Sequence, residues 1–169
     1  MSPPDGGENL DPVGLWAGGW MVLAPHAGTM SLDGHSGGSP LPGLDPARRR
    51  RVLYLGVFPN LLLSLHPDYV MTHRLEPLGP DRTLVECCWL FPAAAVAAGG
   101  FDLGWAVAFW DLTNRQDWRA CESVQRGMRS RGHAPGRLAP GEDAVYQFIA
   151  LVARAYQTGG APAGGARHP

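Results

Sequence analysis

Between Val52 and Phe91 the chain alternates short runs of strand-forming residues with proline-containing turn signals, and this punctuation constrains the fold more than any other feature. Val52 to Phe58, Leu61 to Leu65 and Thr83 to Phe91 are apolar, whereas Tyr69 to Leu75 is richer in polar residues. Each reads as a strand. His66-Pro67-Asp68 and Gly79-Pro80-Asp81 read as turns, because proline presets φ and Asp can bond the following backbone amides. The expectation is an antiparallel meander of three or four strands. Phe58-Pro59-Asn60 should place a bulge or bend between the first two runs.

Flanking segments extend this plan. Residues 1–12 are polar and rich in Pro and Gly, and read as an extended lead-in. Residues 15–23 are apolar and aromatic enough for a strand, with Gly18 and Gly19 marking a bulge or a close backbone approach. Residues 33–46 read as a loop. From Trp105 onward the period becomes helical. Thr113-Asn114-Arg115-Gln116 fits a capping box, so a helix is expected from about Asn114 to Arg129. It would align Asp117, Cys121, Val124 and Met128 on one stripe, opposite Arg115, Arg119, Glu122, Arg126 and Arg129. A second helix, about Gly141 to Tyr156, carries Val145, Phe148, Ile149 and Val152 at helical spacing. The Gly-, Ala- and Pro-rich tail after Gln157 is expected to be disordered. The fold class is α+β.

Composition excludes several functions. A chain of 169 residues can bury one core, and a formal charge of −1 gives no broad nucleic-acid surface. Arg48 to Arg51 is the sole basic run and reads as a solvated strand entry. There is no lysine and one isoleucine, a bias that fits GC-rich codon usage rather than function. No apolar stretch is long enough to span a membrane and the N-terminus lacks a signal-peptide pattern, so a cytoplasmic protein is expected. Cys87, Cys88 and Cys121 form no disulfide framework or Cys-x-x-Cys site. The adjacent pair reads as small strand residues rather than a redox centre.

Asp117 does not fit its stripe. A carboxylate facing inward is costly unless it is paired, hydrogen-bonded or bound to a metal. Two readings stay open: a structural carboxylate satisfied by arginine or backbone amides, and a metal-binding or catalytic one.

The segment Phe109-Trp110-Asp111-Leu112-Thr113-Asn114-Arg115-Gln116-Asp117-Trp118, continuing Glu122-Ser123-Val124-Gln125-Arg126-Gly127, resembles the C-terminal catalytic region of Rieske-type non-haem iron oxygenase α subunits. These are the ring-hydroxylating dioxygenases and their monooxygenase and demethylase relatives. The run from Phe58 to Tyr69 is similar to that family's central strand pair. Trp16-Ala17-Gly18-Gly19-Trp20 with Thr29-Met30-Ser31-Leu32-Asp33-Gly34 is similar to the segment that follows its iron-ligand histidines. The resemblance covers roughly residues 1–157. It implies a helix-grip fold, an antiparallel sheet with a long C-terminal helix packed across it, present here in incomplete form. Residues 13–157 would be a partial oxygenase catalytic domain between the lead-in, 1–12, and a disordered tail, 158–169.

In that family the iron is held by two histidines and a carboxylate from the long helix. Asp117 matches the carboxylate best. Asp111 stands before the capping box and off the apolar stripe, and Glu122 falls on the solvated face. Asn60, Leu62, His73 and Trp110 are implied as pocket walls. The cluster motifs Cys-x-His and Cys-x-x-His are absent, and so is a His-x-x-x-x-His segment. A substitute triad of His66, His73 and Asp117 is disfavoured, because His66 sits at a turn and His73 on the next strand; His26, His35, His133 and His168 receive no role. The resemblance therefore implies a C-terminal piece of an α subunit with an incomplete Fe(II) ligand set, inactive alone, and a 2Fe-2S cluster only if another chain supplies it. Implied partners are an upstream-encoded α-subunit fragment, a reductase or ferredoxin, a small organic substrate and further copies in an oligomer. The complete form would use dioxygen and NAD(P)H-derived electrons to hydroxylate or demethylate its substrate. The alternatives are an iron-free helix-grip protein that binds small molecules, and an inactive remnant.

Overall fold

In the computed structural model, which describes residues 7–10 and 14–159, the strand-forming runs build one six-stranded antiparallel sheet with its strands in chain order. These are β1 (Glu8–Leu10), β2 (Trp16–Val22), β3 (Arg51–Val57), β4 (Leu61–Leu65), β5 (Val70–Gly79) and β6 (Arg82–Leu90). Helices α1 (Ala93–Ala97), α2 (Gly104–Met128) and α3 (Asp143–Gln157) follow. The meander thus has more than the three or four strands expected, because β2 and a short edge strand from the lead-in join it. What was expected of residues 1–6, 11–13 and 160–169 lies outside the described residues.

One local alternative is resolved and two local expectations are corrected. Gly18 and Gly19 form no bulge, since β2 pairs with β3 in unbroken register from Trp16↔Val57 to Val22↔Arg51. Gly18 serves a close approach instead: a Cβ there would lie 2.1 Å from the Tyr54 carbonyl oxygen. Phe58-Pro59-Asn60, with a cis Phe58–Pro59 bond, makes a tight turn that pairs Val57 directly with Leu61. The register slip falls at Pro77/Gly79 in β5. Helix α2 begins at Gly104, so Thr113 lies in its interior and caps nothing. Asp102 Oδ1 accepts the Gly104 amide at 2.8 Å near the true start.

The earlier start of α2 has a tertiary cause. Ala106 and Trp110, four residues apart, are buried against Tyr69 and Met71 of the sheet, with Trp89, Phe91, Trp105 and Phe109 packed around them. Burying an apolar side chain of this size contributes about 1.5–3 kcal/mol, more than local capping offers. The buried stripe ends at Asn114. Beyond it the stripe expected to face inward is open to solvent: Asp117 and Cys121 are exposed, Val124 is 61% exposed and Met128 53%. The far end of the helix is held by an Arg129–Asp81 ion pair at the β5–β6 turn.

The loop between β2 and β3 closes one end of the sheet. Arg50 donates to the carbonyls of Ala27, Leu23 and Ala24 at 2.5, 3.0 and 2.6 Å. Arg51 lies 3.9 Å over the Trp20 ring, and Arg48 pairs with Asp45. On the other side of the loop, Thr29 and Ser36 donate to the two oxygens of buried Asp68 at 2.6 and 2.5 Å. Burial raises the Asp68 pKa while these two hydrogen bonds lower it, burial having the larger effect.

Candidate functional site

Antiparallel register decides which side chains share the helix-facing side of the sheet. Gly56 of β3 pairs with Leu62 of β4, Leu62 with His73 of β5, and His73 with Cys87 of β6, so these four stand in one row. Tyr54, Ser64, Met71 and Trp89 form the next row toward the closed end. Ala17 and Gly19 of β2 continue the two rows. Because Ala17, Gly19 and Gly56 have little or no side chain, an open cavity of about 820 Å³ lies over this part of the sheet. Trp110 of α2 bounds one side, and Val145 and Phe148 of α3 contribute to its lining.

The polar groups near the cavity are few and specifically connected. His73 Nε2 meets Asn114 Oδ1 at 3.0 Å, and Asn114 Nδ2 donates to Cys87 Sγ at 3.6 Å. Trp110 Nε1 donates to the Tyr69 hydroxyl at 2.9 Å, which donates to the Met30 carbonyl at 2.9 Å. Burial pushes both nearby phenols up, Tyr54 to about 12 and Tyr69 further. His66 is buried at 2% exposure between Tyr69, Trp110 and Tyr54, with neither ring nitrogen hydrogen-bonded, and desolvation depresses its pKa to about 3.

The sequence-designated residues separate into three groups. Leu62, His73 and Trp110 line the cavity. Asn60 is not among its lining residues: its Nδ2 donates to the Leu75 carbonyl at 3.0 Å and its own carbonyl accepts the Leu75 amide, which extends the β4–β5 ladder. Asp117 follows Asn114 by three residues on α2, exposed and without a hydrogen bond or ion pair to the described residues. Asp111 is engaged by Arg115, whose Nε donates to both its oxygens at 2.9 Å.

Asn114, Tyr54, Ser64 and the α3 residues were not singled out from sequence. The period of two along β3 and β4 carries a signal for Tyr54 and Ser64, and the four-residue step from Trp110 carries one for Asn114.

Iron and a 2Fe-2S cluster are what the family implies, and the donors in this chain can be tested against them. Among the described residues no three His, Cys, Asp or Glu side chains form a metal-binding group. Asp117 offers one free anionic oxygen donor, while His73 is committed to Asn114 and His66 lies in the aromatic core. This donor set does not fit a complete site of two histidines and one carboxylate, and none of the cysteines pairs with a cluster motif. No helix among the described residues is long and apolar enough to cross a membrane.

Residues 5–158 match the family model described as ring hydroxylating alpha subunit (catalytic domain). Over 108 residues the chain is 32% identical to the glycine betaine monooxygenase oxygenase subunit of Chromohalobacter salexigens, covering 64% of this chain and 24% of that protein. The Pseudomonas aeruginosa protein of the same name is 31% identical, over 69% of this chain and 27% of its own length. Choline monooxygenase, chloroplastic, of Arabidopsis thaliana is 28% identical over 80% of this chain and 36% of its own length. The chain thus spans about a quarter to a third of the curated relatives it matches. Nearly its whole length nevertheless aligns with one catalytic-domain family, and the chain belongs to the ring-hydroxylating α subunits of Rieske-type oxygenases.

Proposed function

We propose that this chain provides the sheet-and-helix wall of an oxygenase substrate pocket and the single carboxylate ligand, Asp117, of its catalytic iron. The two histidines and the 2Fe-2S cluster come from an upstream α-subunit segment or chain, and a reductase or ferredoxin delivers NAD(P)H-derived electrons. The complete assembly hydroxylates or demethylates a small organic substrate with dioxygen. The chain's own residues do three things in this scheme. The Gly56–Leu62–His73 row and Trp110 bound the substrate, α3 closes the cavity with Val145 and Phe148, and α2 presents Asp117 to an incoming histidine pair.

The observation that carries the reading is the state of Asp117. An exposed carboxylate with no partner among the described residues stands three residues beyond Asn114, the last buried position of the α2 stripe, and is available to a ligand supplied from outside the chain. A second reading, an iron-free small-molecule-binding protein, is favoured by a cavity whose walls stand without any metal-binding group among the described residues.

Iron content separates the two. The purified chain is expected to retain no stoichiometric ferrous iron after dialysis. Co-expressed with a segment carrying Cys-x-His, Cys-x-x-His and His-x-x-x-x-His, it should retain iron that Asp117→Ala abolishes. Stoichiometric iron on the chain alone would sink the proposal, and an unchanged iron content in the Asp117→Ala assembly would move the ligand to Asp111 or elsewhere.

A further inference from the structure

The cavity wall contains one histidine that is hydrogen-bonded through a single ring nitrogen. Asn114 directs its amide nitrogen to Cys87 Sγ at 3.6 Å, so its amide oxygen faces His73 Nε2 at 3.0 Å. With the Asn114 oxygen toward the ring, rather than flipped so that the Cys87 thiol donates to it, Nε2 carries the proton, because an amide oxygen only accepts. In the neutral ring this leaves Nδ1 with a free lone pair. Nδ1 makes no hydrogen bond with the described residues, and His73 lines the cavity beside the edge of Trp110, ring centroids 5.6 Å apart. The described residues of the lining include no Asp or Glu.

We infer that His73 is a specificity-determining acceptor: through Nδ1 it reads one O–H or N–H donor on a largely apolar ligand held in the cavity. The inference rests on the pocket reading given under Proposed function. A ligand lacking that donor leaves the lone pair desolvated and unmatched. Tyr54 and Ser64 of the neighbouring row also line the cavity and carry hydroxyls, whereas Leu62 and Gly56, which share the row of His73, offer no polar side chain. Asn114 acts as a positioning residue, since it sets the tautomer without lining the cavity itself.

Calorimetric titration of the full chain with 2-naphthol and with 2-methoxynaphthalene at pH 8 tests this. The naphthol should bind about 5-fold more tightly than its ether, and His73→Phe should equalise the two. Equal affinities in the native chain, no binding of either probe, or an unchanged preference in His73→Phe would overturn the inference. Long-range ¹H–¹⁵N NMR on the native chain gives a readout independent of any variant's folding. His73 Nδ1 should resonate as an unprotonated nitrogen and move on addition of 2-naphthol, and Asn114→Leu should mix the tautomers. A protonated Nδ1 overturns the assignment. Iron loading of the co-expressed assembly is read separately: naphthol preference without iron keeps this inference and rejects the oxygenase reading, and iron without preference does the reverse.

Discussion

His66 lies nearly parallel to Tyr69, ring centroids 4.2 Å apart and planes at 16°, with both imidazole nitrogens buried and unpartnered. Desolvation holds its pKa near 3, so the unfolded chain, with an ordinary value near 6.5, takes up this proton first as pH falls. Its stabilising effect is fully present above about pH 6.5 and is lost toward pH 3, with a limiting slope of about 1.4 kcal/mol per pH unit. Asp68 acts in the opposite sense: its raised pKa means that the folded state binds that proton before the unfolded chain does. Urea midpoints should fall from pH 7 to pH 5 in the native chain. His66→Phe should flatten or invert that trend, and an equal slope in the variant would exclude His66 as its source.

The hydrogen-bonded sequence Trp110–Tyr69–Met30 ties α2 and the long loop to the sheet. Trp110→Phe removes one donor and should cost about 1–2 kcal/mol, whereas Trp110→Ala also opens a cavity and should cost about 3–5 kcal/mol. Tyr69→Phe leaves the buried indole N–H and the Met30 carbonyl unmatched, at about 1–3 kcal/mol. In the double variant Trp110→Phe/Tyr69→Phe, urea denaturation should show less than the sum of the single effects. Strict additivity would mean that the two groups do not act together.

Two glycines on adjacent strands should respond differently to a methyl group. In Gly18→Ala the Cβ falls 2.1 Å from the Tyr54 carbonyl oxygen, which forces β2 and β3 apart and should cost about 3 kcal/mol or more. In Gly56→Ala no neighbour is closer than 3.7 Å, so a change within about 1 kcal/mol is expected. Thermal denaturation, with amide exchange across the β2–β3 ladder, checks the contrast. Equal destabilisation would refute the close-approach explanation.

Asp117→Ala distinguishes the two readings that the sequence leaves open for this carboxylate. As an exposed group without a partner, it should change the stability of the chain by no more than about 0.5 kcal/mol in urea. A loss of about 2 kcal/mol would identify a structural carboxylate and remove the basis for its assignment to iron.

The legible parts of this protein were those with local causes. Proline and aspartate chemistry at His66-Pro67-Asp68 and Gly79-Pro80-Asp81 marked the hairpins, and the apolar runs between them marked the strands. Three segments in order, Trp16 to Gly34, Phe58 to Tyr69 and Phe109 to Gly127, carried the resemblance to its family. The start of α2 was misread because Thr113-Asn114-Arg115-Gln116 satisfies a capping pattern locally, while Ala106 and Trp110 continue the helix by burial against Tyr69 and Met71. The same sequence stripe that suggested a buried Asp117 runs past the last sheet contact into solvent.

The β3–β6 meander, the presence of two main helices and the family were legible in the residues alone, because turn chemistry and motif identity reside within a few consecutive residues. That His73 faces Asn114, that Asn60 extends a ladder rather than lining the cavity, and that Asp117 has no partner among the described residues follow from the assembled fold alone. These relationships join residues far apart in the chain. They are set by strand register and by where the α2 stripe leaves the sheet, which depend on burial summed over the whole core.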